Sequence, residues 1–156
     1  MSGVMNLELQ LATEATEATG LPAQADFERW AGAALEDEPR RGLVIRLVDE
    51  AESRQLNRDY RGRDKPTNVL SFPFEAPPGV PSEHLGDLVI CAPVVAREAL
   101  EQGKSPAHHW AHMVVHGVLH LRGYDHLEPA DAEAMEARER RILAGFGIPD
   151  PYREVA

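Results

Sequence analysis

The chain predicts a mixed α+β fold, a small sheet of about four strands packed with helices, and three observations carry that expectation. Short β-branched or alternating segments recur between longer stretches of helical period. Proline and glycine stand where these segments end. The length of 156 residues, 43% of them apolar and 27% charged, suits one compact globular domain over residues 1–156.

Each element has its own local reason. Leu7-Glu8-Leu9-Gln10-Leu11 alternates apolar and polar, the period of a half-buried strand. Asp26 to Leu35 places Phe27, Trp30, Ala31 and Ala34 at helical spacing. Leu43 to Val48 is β-branched and mostly apolar, as an interior strand should be. Asp49 is placed to cap a helix from Glu50 to about Tyr60, which Gly62 ends. Val69 to Phe74 reads as a strand, and Pro73, lacking an N–H, confines it to a sheet edge or a strand end. Pro77 to Pro81 forms a loop, and Asp87 to Cys91 a further strand. Pro93 opens a short helix that Gly103 terminates, and a longer helix runs from about Pro106 to Leu121, stopped by Gly123. The last helix covers roughly Pro129 to Leu143, acidic at its start and rich in arginine at its end, in keeping with the macrodipole.

Composition narrows the function classes. No apolar run reaches the roughly 20 residues of a membrane span, so no membrane partner is expected. Glu8, Glu14 and Glu17 interrupt the layout of a secretory signal. A single cysteine, Cys91, sits in an apolar run and reads as a small core residue, so the cytoplasm is the expected compartment. The net charge of −10 disfavours broad coating of nucleic acid, and no DNA partner is expected. Arg54, Arg58, Arg61, Arg63 and Lys65 nevertheless concentrate positive charge, as a solvated helix face or as a local phosphate site.

His116-Gly117-Val118-Leu119-His120-Leu121-Arg122-Gly123-Tyr124-Asp125-His126 is the most informative stretch. Histidines four apart on a helix share a face, with Cβ atoms about 5–6 Å apart, close enough for two imidazoles to meet one ion. Such a pair alone can also be two polar-face residues. Gly123 permits the backbone reversal that returns His126 to the same ion, which favours a metal centre at the end of the long helix. Three neutral ligands leave an open position, the layout of a catalytic zinc site, although nickel or copper accept the same donors. His112 extends the stripe and could replace His126 as a ligand, but three histidines along a straight helix span about 12 Å, so His112 is expected to line the cleft or support a ligand. His108 and His109 open the helix with no assigned role. Gly117 stands where a zinc peptidase has its glutamate base, so a substrate already anionic, such as a phosphodiester, suits the site better than a peptide.

Together with Leu56-Asn57-Arg58-Asp59-Tyr60-Arg61-Gly62-Arg63-Asp64-Lys65-Pro66-Thr67-Asn68-Val69-Leu70-Ser71-Phe72, the histidine motif closely resembles the YbeY family. Gly86-Asp87 before an apolar strand and the Asp150-Pro151-Tyr152 tail are also similar, so the resemblance covers nearly everything beyond Leu43. It implies a metal-dependent endoribonuclease that prefers single strands and acts in ribosomal RNA maturation at the 3′ end of the small-subunit RNA and in ribosome quality control. It implies His116, His120 and His126 as ligands of one zinc-type ion, His116 and Arg61 as catalytic, and Arg61, with Arg63 and Lys65, as the contacts to RNA. The implied partners are ribosomal RNA, the small subunit and its proteins. The alternative is a ribosome-assembly binding factor whose metal is structural.

Other residues have two placements each. Asp87 can orient a ligand histidine or cap a turn. Asp125 adjoins His126 but is expected to diverge from it, and Thr67-Asn68 are turn formers before they are cleft residues. Tyr124 is expected to pack under the turn, and Phe72 and Phe74 can stack bases if exposed, with core packing expected for one of them.

Overall fold

The computed structural model describes residues 5–12, 21–80, 82–125 and 127–152. Along them run β1 (Asn6–Leu11), α1 (Gln24–Leu35), β2 (Gly42–Val48), α2 (Glu50–Arg61) and β3 (Val69–Pro73). There follow β4 (His84–Cys91), α3 (Ala92–Glu101), α4 (Pro106–Leu121) and α5 (Pro129–Ala144). The strands form one four-stranded sheet among the described residues, in the order β1-β2-β4-β3. β1 and β4 lie parallel to β2, with helices in the connections, and β3 returns antiparallel on β4. The mixed α+β expectation holds, and a sheet edge is where Pro73 was expected to put its strand.

One boundary differs from expectation. β4 begins at His84, three residues before Asp87, because its pairing with β2 steps from Gly42↔His84 to Leu43↔Gly86. The step passes over Leu85, a bulge that shifts the side-chain alternation by one residue. Leu85, Leu88 and Ile90 thereby all enter the same core. A strict period of two does not describe such a strand, which is why its start was hidden.

The sheet buries two unequal faces. Leu43, Ile45, Leu47, Leu88, Ile90 and Val69 point to the main core, where α1, α4 and α5 cover them with Phe27, Trp30, Trp110, Val118 and Met135. Val48, Leu70, Val89 and Cys91 point the other way into a smaller core that includes Leu56 of α2. Cys91 is 1% exposed, the core position expected of it.

Helix α4 lies against the sheet at Gly117. A Cβ there would come within 2.8 Å of Leu88 Cδ2 and 3.3 Å of Val69 Cγ2. A glutamate at this position, where a zinc peptidase carries its base, would crowd Leu88 and Val69. Ser71 Oγ of β3 donates to the Gly117 carbonyl at 3.2 Å, tying the metal-motif helix to the edge strand.

Candidate metal centre

Arg61 is placed by the end of α2. Asp49 accepts from the Glu52 N–H at 2.9 Å, so the helix starts where its cap predicts. It stops at Gly62, whose φ of 69° is left-handed and whose N–H returns to the Arg58 carbonyl. The loop that follows is pinned to the helix by two buried polar side chains. Ser53 Oγ bonds both the carbonyl and the N–H of Thr67 at 3.0 Å, and Asn57 donates to the Lys65 carbonyl at 2.8 Å.

These bonds carry the chain into β3 along an open cleft of about 620 Å³. Tyr60, Arg61, Thr67 and Asn68 line it together with His116, His120, Asp125 and Leu127. Thr67 and Asn68 thus face the cleft, as their secondary role anticipated. Arg63 and Lys65 are exposed on the loop but do not line the cleft. The five-cation cluster divides in two: Arg54 is bound to Asp64 at 2.7 Å and Arg58 lies 3.7 Å from Asp59. Among the described residues no ion pair engages Arg61, Arg63 or Lys65. Tyr60 is 69% exposed and its ring meets Phe72 edge-on, with centroids 5.0 Å apart. Phe74, 42% exposed, packs edge-on to His84 instead.

The two helix histidines converge. Nε2 of His116 lies 3.2 Å from Nε2 of His120. Two nitrogens each 2.0–2.1 Å from a tetrahedral ion stand roughly 3.3–3.4 Å apart, so this donor pair fits a zinc-type ion. His126 lies outside the described residues.

The reverse side of His116 rests on a residue that the motif did not reveal. Glu139 of α5 is fully buried, and its Oε1 lies 3.3 Å from His116 Nδ1 while its Oε2 lies 2.7 Å from His112 Nε2. Burial raises the pKa of Glu139, but the hydrogen bonds from His112 and His116 outweigh it and hold the carboxyl at about 2. An ionised carboxylate only accepts, so His116 donates through Nδ1 and leaves Nε2 facing His120. Burial lowers the pKa of His112 from its ordinary value, and its Nε2 donates to the carboxylate. A carboxylate behind a histidine in this way orients it for a metal. His112, His116 and Glu139 also offer three ligand atoms within 4.8 Å of one another, a group that could itself hold a metal ion.

His112 thus shares the Glu139 carboxylate with His116. Glu139 was hidden among Arg138, Arg140 and Arg141, where it reads as surface charge, yet Met135, Glu139 and Ile142 recur at the period of the buried face of α5. His109, left without a role, is buried and bonds Glu98 at 2.9 Å. Glu98 also takes the Asn68 side-chain amide at 3.1 Å, which holds the start of β3. Asp87 supports neither His116 nor His120: its carboxylate meets His84 Nε2 at 2.8 Å. Tyr124 packs against the core between the guanidinium groups of Arg122 and Arg138, 5.7 and 5.3 Å from its ring, under the turn as expected.

The chain is 62% identical over 151 residues to the Endoribonuclease YbeY of Halorhodospira halophila, covering 94% of this chain and 98% of that one. It is 63% identical over 152 residues to the Endoribonuclease YbeY of Alkalilimnicola ehrlichii, covering 94% and 92%. A solution structure from Thermotoga maritima shares the fold at 24% identity, with a TM-score of 0.55 over 95% of this chain and 99% of that one. The Endoribonuclease YbeY family model matches residues 12–147. With the paired histidines, an arginine lining the same cleft and relatives of this identity over nearly the full length, the chain belongs to the Endoribonuclease YbeY family.

Proposed function

We propose that the chain is a metal-dependent endoribonuclease, acting on single-stranded stretches of ribosomal RNA in small-subunit maturation and ribosome quality control, in the cytoplasm. The observation that carries the proposal is the 3.2 Å approach of the His116 and His120 nitrogens in a cleft that Arg61 also lines. Relatives sharing 58–63% of their residues with this chain are named endoribonucleases, which favours catalysis over a binding factor with a structural metal.

In this reading His116, His120 and His126 hold one zinc-type ion. When bound, such an ion supplies Lewis acidity at a phosphoryl oxygen and lowers the pKa of a coordinated water to about 7. The chain supplies the rest. Glu139 holds the imidazole of His116 in the tautomer that offers Nε2. The Arg61 guanidinium takes two phosphate oxygens and balances charge that develops on them. Arg63 and Lys65 guide the backbone outside the cleft, and the exposed face of Tyr60 stacks a base of an unpaired strand. A duplex presents no free base face to such a platform, which supports the single-strand preference.

Metal analysis of the purified chain, paired with RNA cleavage with and without a chelator, tests the reading. Cleavage that survives complete metal removal, or a His116→Ala variant that keeps both metal and activity, overturns it. The product ends identify the nucleophile: a 2′,3′-cyclic phosphate marks the ribose hydroxyl, and its absence marks water.

A further inference from the structure

The tail after α5 reaches back to the metal centre. Tyr152 places its hydroxyl 3.0 Å from Oε1 and 2.9 Å from Oε2 of Glu139. Burial, followed by the neighbouring Glu139 charge, pushes the phenol well above its ordinary value, so it keeps its proton and donates it. The same carboxylate then receives three donors: the hydroxyl across both oxygens, His112 on Oε2 and His116 on Oε1.

The tail is held there by contacts independent of Glu139. Lys104 Nζ donates to the Pro151 carbonyl at 2.9 Å. Asp150 accepts the Tyr152 N–H at 2.9 Å and pairs with Arg140 at 3.1 Å. The Arg140 guanidinium lies 5.6 Å from the Tyr152 ring centroid, and the ring meets His112 edge-on at 5.3 Å. The aromatic ring is thus seated by its surroundings, and the hydroxyl is the part aimed at the carboxylate.

We propose that Tyr152 is a positioning residue for the metal centre, its hydroxyl fixing the Glu139 carboxylate so that His116 presents Nε2 toward His120. A carboxylate accepting only from two imidazoles can rotate about its terminal bond; a third donor spanning both oxygens removes that freedom. The inference rests on His116 and His120 being metal ligands and adds the tail to the machinery that aims them.

The test uses the full chain and Tyr152→Phe, which removes the hydroxyl and keeps the ring. Zinc affinity is read by chelator competition, ligand geometry by the visible spectrum of the cobalt-substituted protein, and fold by the urea midpoint of the metal-free form. The expected result is a zinc dissociation constant weaker by about tenfold, an altered cobalt spectrum and a nearly unchanged metal-free midpoint. Glu139→Gln, confirmed as folded by circular dichroism, should weaken zinc at least as much, and adding Tyr152→Phe to it should cost little more, because the hydroxyl acts through that carboxylate. A Tyr152→Phe protein with zinc affinity within twofold of wild type and the same cobalt spectrum overturns the inference while leaving the metal reading intact. Losses that multiply in the double variant also overturn it. A wild-type chain that takes up no ion overturns the metal reading, and this inference with it.

Discussion

Arg61 owes its position to its neighbours in sequence: the left-handed Gly62 ends α2 one residue later, and Ser53 and Asn57 hold the outgoing loop. Arg61→Ala should leave the fold and metal content unchanged and lower RNA cleavage by about 10²–10³-fold, the usual cost of removing a donor to developing charge. Arg61→Lys should recover only part of this, because an ammonium cannot grip two oxygens in one plane. Single-turnover cleavage beside metal analysis checks both, and equal losses of metal and activity would contradict the assignment. Arg61 stood out from its cationic neighbours only through the family resemblance, whereas His116 and His120 were legible from a separation of four. Glu139 and Tyr152 were not, because they are neighbours of His116 only in space, 23 and 36 positions further along the chain.

At the level of elements, the site depends on how closely α4 and β3 approach the rest of the sheet. Gly117 admits Leu88 and Val69 against the helix backbone, and Gly86 admits both the Phe72 carbonyl and Leu121. A Cβ at Gly86 would fall 2.6 Å from that carbonyl oxygen and 2.7 Å from Leu121 Cδ2. Backbone cannot yield as a side-chain end can, so Gly86→Ala should destabilise by about 1–3 kcal/mol or more and push β3 outward. Gly117→Ala meets a Leu88 that is itself fully buried and should cost a similar amount. Both variants should show lowered urea midpoints, and Gly117→Ala should also weaken metal binding because its strain falls beside His116. Helix and strand positions were largely readable from period, caps and the Pro73 edge signal. The start of β4 was not, since a bulge is decided by the partner strand rather than by the bulged residues.

Across the whole molecule, charge is arranged rather than merely negative. Glu36, at the C-terminal end of α1, adopts a φ of 49° and receives Arg138 at 2.7 Å, Arg122 at 3.1 Å and Arg141 at 3.5 Å. Arg122 also donates to the Ala34 carbonyl at 2.9 Å, so this cluster joins α1, the turn after α4, and α5. Partial burial raises the Glu36 pKa, but the bonds from Arg138 and Arg122 outweigh it and bring the carboxyl below its ordinary 4.5. A lowered folded value contributes stability above pH 4.5 that is lost as the pH falls through it. Chemical denaturation from pH 6 downward should therefore show a shallower loss in Glu36→Gln than in wild type, with the variant less stable at pH 6 by about 1 kcal/mol. The same economy of charge limits RNA binding. With Arg61, Arg63 and Lys65 as the phosphate contacts, the logarithmic salt slope for a single strand should be about −2. Anisotropy titrations across potassium chloride concentrations measure it, and a slope several times steeper would mean that a different surface binds the RNA.

The Glu139 contact also has a temporal meaning. Ribosomes extrude chains from the N-terminus, and folding begins on the emerged part. All four strands, α2 and Arg61 precede residue 92, whereas the carboxylate that sets the tautomer of His116 lies on α5. A nascent chain therefore displays its cationic loop before His116 has its anchor. On the proposed reading, the growing chain meets ribosomal RNA while the carboxylate that anchors His116 is still to be synthesised.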